Sequence, residues 1–266
     1  MRERTQAEGG VSASGSSDLA TSRPLFRLRA VPILVVIAIA FGLPPLAILI
    51  VRTLNRVIAL PGYHETWAWV DWVHAAMLIL ALAAMPIVRV FVNADFCMRL
   101  PPGRAYILPA IGWGVFLSVI ALIGDYVPEL VARRAPVLDY PLATQTVVGW
   151  LSFQGIIVGP TEEIPYRSLL LGYLTAAMPG QVRFLNLRIS GAGVVVALVF
   201  ALGHLMNFGQ EPIWGLLRQV LGAFVFSLFC AYWFEKSRSV LAPIVFHNVW
   251  DFTQTGLIYV TVAAWS

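Results

Sequence analysis

The sequence predicts an all-α polytopic membrane protein with about seven transmembrane helices, seven or eight in all. Composition is the first reason: 59% of the 266 residues are apolar, only 12% are charged, and the mean hydropathy is +0.78. Soluble globular chains run at about 45–50% apolar and about 25% charged, so the excess needs a solvent other than water. The second reason is length. Ala30 to Val51, Ala105 to Gly124 and Ala143 to Pro160 hold no charged residue, and each approaches or exceeds what about 30 Å of hydrocarbon requires. Disordered, collagen-like, disulfide-stapled and secreted soluble classes are excluded together.

Residues 1–29 are rich in Ser, Gly, Ala and Arg. They cannot bury enough apolar surface to offset the entropy of ordering, and are expected to form a flexible cytosolic tail. Five arginines and the lack of a small-residue cleavage site argue against a signal peptide, so the first helix is expected to stay. Apolar windows then follow at about 30–51, 67–93, 105–124, 143–178, 190–209, 212–234 and 239–264. The fourth is too long for one straight pass at about 1.5 Å per residue. Gly159, Pro160 and Pro165 mark where it should break, or part of it should lie in the interface.

Twelve basic residues fall on the tail side of these windows against four on the other, which places the N-terminus in the cytosol by the positive-inside tendency. The net charge of +4 is scattered singly between apolar stretches and forms no nucleic-acid-binding surface. Cys97 and Cys230 stand alone, without the spacing of a disulfide framework or a thiolate metal site.

Ionisable groups at bilayer depth cost about 2.5–3.5 kcal/mol each, and persist where they face a partner or a wet cavity. Three such groups occur late in the chain: Glu162 and Glu163 in Gly159-Pro-Thr-Glu-Glu-Ile-Pro-Tyr-Arg167, His204 in Val199-Phe-Ala-Leu-Gly-His204, and His247 with Asp251 in Ile244-Val-Phe-His-Asn-Val-Trp-Asp251. Each is expected near the middle of a helix. Helical spacing divides their roles. Glu163 and Arg167 are four apart and can pair, whereas Glu162 is rotated by about 100° and is left for chemistry. A carboxylate stripped of water by apolar surroundings is a stronger base, suited to activating a water molecule. His247 and Asp251 also share a face, and the Phe200 ring can orient His204 four residues on. Any one of these pairs could be structural glue; three in the last 110 residues favour joint use. Asp71 and His74, by contrast, sit among Trp67, Trp69 and Trp72 and read as part of an interfacial aromatic belt. Arg218 reads as a snorkelling or pairing residue.

Glu162-Glu163-x-x-x-Arg167, Phe200-x-x-x-His204 and His247-x-x-x-Asp251, in that order on successive apolar segments, resemble the CPBP intramembrane proteases, the group of CAAX prenyl endopeptidases and bacteriocin-processing or immunity proteins. Ser239-Val-Leu-Ala-Pro-Ile-Val-Phe-His247 resembles the family's lead into its last motif. The likeness covers about Val147 to Asp251. It divides the chain into the tail (1–29), three variable N-terminal transmembrane helices (30–142) and catalytic core helices (143–266).

The resemblance implies an intramembrane endopeptidase acting on a membrane-associated protein or peptide within the lipid bilayer. In it Glu162 and His204 activate water, His247 and the residue four later stabilise the oxyanion, and Glu163 and Arg167 hold the motif helix. Asp251 departs from the Asn of some members. An ionised Asp cannot donate to an oxyanion, so it must orient His247, be protonated, or bind metal. Ser168 replaces a Gly common in the family. No cofactor is required on the preferred reading; Glu162, His204, His247 and Asp251 could alternatively ligate zinc, although no HExxH occurs. The rival class is a non-catalytic scaffold or immunity-type protein of the same family. A proton-coupled transporter is disfavoured because no matched broken helices repeat.

Overall fold

The computed structural model describes residues 27–102, 106–134, 138, 141–184, 187–209 and 212–265. Most of the expected tail, and Arg104 of the charge count, lie outside the described residues. The helices fall on the apolar windows: α1 (Ala30–Ile58), α2 (Thr66–Phe91), α3 (Ile107–Val131), α4 (residues 144–177), α5 (Gly191–Gly203), α6 (Ile213–Ser237) and α7 (Leu241–Trp265). Four stretches among the described residues are long and apolar enough to cross a membrane: α1, α2, Ile107–Gly124 of α3, and α6. The chain is an integral membrane protein. α4, α5 and α7 fall outside that set: α4 changes between α and π winding along its length, α5 has only 13 residues, and α7 gives up apolarity to His247, Asn248, Asp251 and Gln254.

Two features correct the expectation. The fourth window does not break at Gly159, Pro160 or Pro165; it stays helical through 144–177. Two π-helical stretches, Phe153–Ile157 and Ile164–Leu171, absorb the strain, the second opening around Pro165. A wider turn moves the bonding partner of each amide, so the amide that proline lacks and the carbonyl its ring would strike are accommodated without ending the helix. The second correction is an antiparallel hairpin between α4 and α5, β1 (Gln181–Phe184) and β2 (Leu187–Ser190), with Val182 opposite Ile189. It is the one departure from an all-α fold among the described residues.

Small residues set the packing. α1 turns Val36, Ala40, Leu43, Ala47 and Val51 inward at helical spacing, while Val31 and Leu49 stay exposed on the opposite, lipid-facing side. α2 lies against α1 on one side and against 158–171 of α4 on the other. α3 runs along α7, where a Cβ on Gly114 would meet the Phe246 carbonyl and Val249 at 3.0 Å. α5 runs along α6. Its start is capped by the Ser190 hydroxyl, which accepts the Gly193 amide, and Glu235 of α6 accepts the Ser190 amide and hydroxyl in turn.

The α2–α3 connection folds back under the α6–α7 turn. Cys97 and Arg238 adopt left-handed backbone (φ 49° and 53°), the Val240 amide donates to the Cys97 carbonyl, and Ser239 Oγ donates to the Arg99 carbonyl. Asp95 accepts from both Arg99 and Arg238. Cys97 and Cys230 are buried free thiols.

Candidate active site

The adjacent carboxylates of α4 have opposite fates. Glu163 is wholly buried and uses both oxygens. Arg167 Nε donates to Oε2 at 2.8 Å, and His247 Nδ1 of α7 lies 2.8 Å from Oε1. The Arg167 guanidinium, also wholly buried, lies over the Phe200 ring of α5 at 5.5 Å. One ion pair thus ties α4, α5 and α7 together. The expected i, i+4 pairing of Glu163 with Arg167 is present, and its extension to His247 is an addition that spacing alone does not reveal.

Glu162 faces the other way, into a cavity of about 890 Å³ that also receives His204, His247, Asp251 and Phe200. Its Oε2 is 4.0 Å from His247 Nε2. That same nitrogen is 3.1 Å from Asp251 Oδ2, a contact through which Asp251 can orient the ring. Phe226 of α6 meets the His247 ring edge to face at 4.7 Å and stacks on Phe246. His204 Nδ1 lies 3.2 Å from the Phe200 carbonyl, and the two rings touch edge-on at 5.2 Å, as their spacing predicts. Since a carbonyl only accepts, that nitrogen carries the hydrogen and Nε2 is the one left over.

His204 corrects the expectation that each polar residue sits mid-helix. α5 ends at Gly203, and His204 opens a single 3₁₀ turn, His204–Asn207. Gly203, the left-handed Gly209 (φ 85°) and Pro212 follow one another too closely for the helix to continue.

Two site residues escape the sequence reading. His74 of α2 is no belt residue: its Nε2 is 3.1 Å from Glu162 Oε1 and it lines the cavity. The signal was helical phase, since Val73, Ala76 and Met77 around it turn inward. Asn248 is the other. Its Oδ1 accepts the Gly159 amide at 2.7 Å, and its Nδ2 donates to the Ile156 carbonyl at 3.4 Å, so it bonds backbone next to the first π stretch. A Cβ on Gly159 would collide with that oxygen, which makes glycine the residue that lets α4 and α7 approach. Ser168, the family departure, is buried and donates to Met98 Sδ at 3.3 Å. Arg134 and Arg218 also line the cavity.

Among the described residues, no group of three His, Cys, Asp or Glu side chains is arranged to hold a metal ion. Both ring nitrogens of His247 already meet carboxylates.

The family model for type II CAAX prenyl endopeptidase Rce1-like proteins matches residues 144–253. That stretch begins with α4, ends within α7 and holds Glu162, Glu163, Arg167, Phe200, His204, His247 and Asp251, while His74 lies outside it. Comparisons with curated proteins and with solved structures gave no match. The motifs converge on one cavity, and the stretch that builds most of it, residues 144–253, is the part of the chain that is similar to the Rce1-like type II CAAX prenyl endopeptidases.

Proposed function

We propose that the protein is an intramembrane endopeptidase that hydrolyses a peptide bond of a membrane-associated protein or peptide, with Glu162 and His204 activating the water. The observation that carries this reading is the opening of Glu162, His204, His247 and Asp251 into one cavity bounded by apolar helices. Glu162 is the carboxylate with a free oxygen, and His204 has an unoccupied Nε2 lone pair on the same cavity. Water oxygen bonds to the scissile carbonyl carbon as its proton passes to Glu162. His247, clamped between Glu163 and Asp251, places an imidazole beside the developing oxyanion, where a fixed dipole or charge acts without reorganising. Collapse of the tetrahedral intermediate breaks the C–N bond and returns the proton to the leaving amine. Glu163 and Arg167 hold the geometry and touch no substrate. No step requires a metal.

On this reading the protein acts in a bacterial cytoplasmic membrane, and the charge asymmetry of its loops supports an N-terminus in the cytosol. A prenylated CAAX peptide is the first probe, because the matched family is named for that substrate. In purified protein Glu162→Ala abolishes its cleavage while the detergent-phase melting temperature stays close to that of the parent, and chelators leave the parent's turnover unchanged. Full turnover by Glu162→Ala overturns the assignment of Glu162 as the base, whereas a folded parent that cleaves no peptide leaves the scaffold reading.

A further inference from the structure

His74 sits on α2, outside the matched family stretch, and its two ring nitrogens have different partners. Nδ1 lies 2.9 Å from the Val70 carbonyl, and a carbonyl oxygen can only accept, so Nδ1 carries a hydrogen. Nε2 lies 3.1 Å from Glu162 Oε1. A neutral ring with its hydrogen on Nδ1 would turn a lone pair toward a carboxylate oxygen, a repulsive contact. A proton must therefore lie between Nε2 and Oε1. If it rested on Glu162, that residue would be an acid and could not take a proton from water; Glu162 is a base only with the proton on His74.

The surroundings hold the ring in that role. Phe153 meets it edge to face at 4.9 Å, and it is largely buried. Asp71 lies three residues earlier on the same helix, with a buried Oδ1 that makes no hydrogen bond. Glu162 faces the site from α4, with Glu163 buried behind it against His247; His204 follows α5, and His247 with Asp251 face it from α7. Oε1 of Glu162 is thus occupied, and Oε2, 4.0 Å from His247 Nε2, is the oxygen left for water.

We propose that His74 is a positioning residue for the hydrolysis: its Nε2–H holds Glu162 Oε1 and presents Oε2 alone to the water. This rests on Glu162 being the base, so the test needs one readout without substrate. The infrared carboxylate band of Glu162, identified by subtracting the Glu162→Gln spectrum, should shift in His74→Ala. It should return close to its original position in His74→Gln, whose amide N–H can occupy the place of Nε2–H. An unshifted band in His74→Ala overturns the proposal.

With the prenylated CAAX peptide, His74→Ala should lower kcat about tenfold to a hundredfold, the range seen when an orienting partner is lost, with KM changed less than about threefold. His74→Gln should recover most of that loss. Equal kcat in parent and His74→Ala, with both folded alike by circular dichroism, overturns it as well. Failure of the parent protein to cleave the peptide counts against the hydrolase reading for that substrate and leaves the infrared result to decide the role of His74.

Discussion

The Glu163–Arg167 pair and the Asp95–Arg99–Arg238 cluster are built from the same two kinds of group, each with one carboxylate and guanidinium at i, i+4 spacing, and burial separates them. Glu163 and Arg167 expose 0% of their side chains, whereas Asp95, Arg99 and Arg238 expose 45%, 50% and 67%. In the first, neither charge can exchange its partner for water, so each fixes the other and, through His247 and Phe200, the site. In the second, water competes for every contact, and the cluster does little more than seat one loop. An ion pair organises a site when it cannot be solvated.

Removing one partner from the buried pair should give the largest effect. Arg167→Ala leaves Glu163 buried beside His247 with no cation of its own on α4, and should cost about 3–5 kcal/mol of stability, read from unfolding in detergent. Cleavage should fall with it, because His247 loses its fixed neighbour. If stability is unchanged, the contrast between the two clusters fails.

Gly159→Ala is expected to rank next, at about 1–3 kcal/mol, the usual range for overpacking a tight contact. The added methyl meets both Asn248 Oδ1 and the Ile244 carbonyl, so the double variant Gly159→Ala with Asn248→Ala relieves the first clash and should be less destabilised than the two single losses combined. Additive losses in the same unfolding assay would place the strain elsewhere.

The exposed cluster should give the smallest change. Burial pushes the Asp95 carboxyl up, but the Cys97 amide and the Arg99 and Arg238 guanidinium groups outweigh it and hold the group below its ordinary range. A lowered folded value means its contribution is complete above the unfolded carboxylate value, about 4, and is lost as pH falls through the lower folded one. Asp95→Asn should barely move the melting temperature at neutral pH, and should remove only a small part of its decline in acid. A large loss at neutral pH would show that exposure is the wrong criterion.

Much of the candidate site was legible because charge in an apolar window has few explanations. Glu162, Glu163, His204, His247 and Asp251 stand out by their cost alone, and the i, i+4 pairs follow from helix geometry. His74 was not legible for the opposite reason: three tryptophans around it offered a sufficient local explanation, and its partner is 88 residues away. Asn248 hid because an amide is inexpensive beside a charge. The helices were legible from hydropathy. The continuity of α4 was not, since Pro165 reads as a break wherever only the α-helical turn is considered. His204 was placed mid-helix because the hydrophobic window runs past the point where Gly203 lets the turn tighten.

The two wide turns of α4 have one more consequence. Each is equivalent to slipping an extra residue into an otherwise regular rod, so successive parts of the helix are indexed to different neighbours: Gly159, between the two, to Asn248, and Arg167, within the second, to Phe200. Shortening the chain by a single residue within Ile164–Leu171 would rotate everything downstream out of step with its contacts, a misalignment that no exchange of one side chain for another could reproduce.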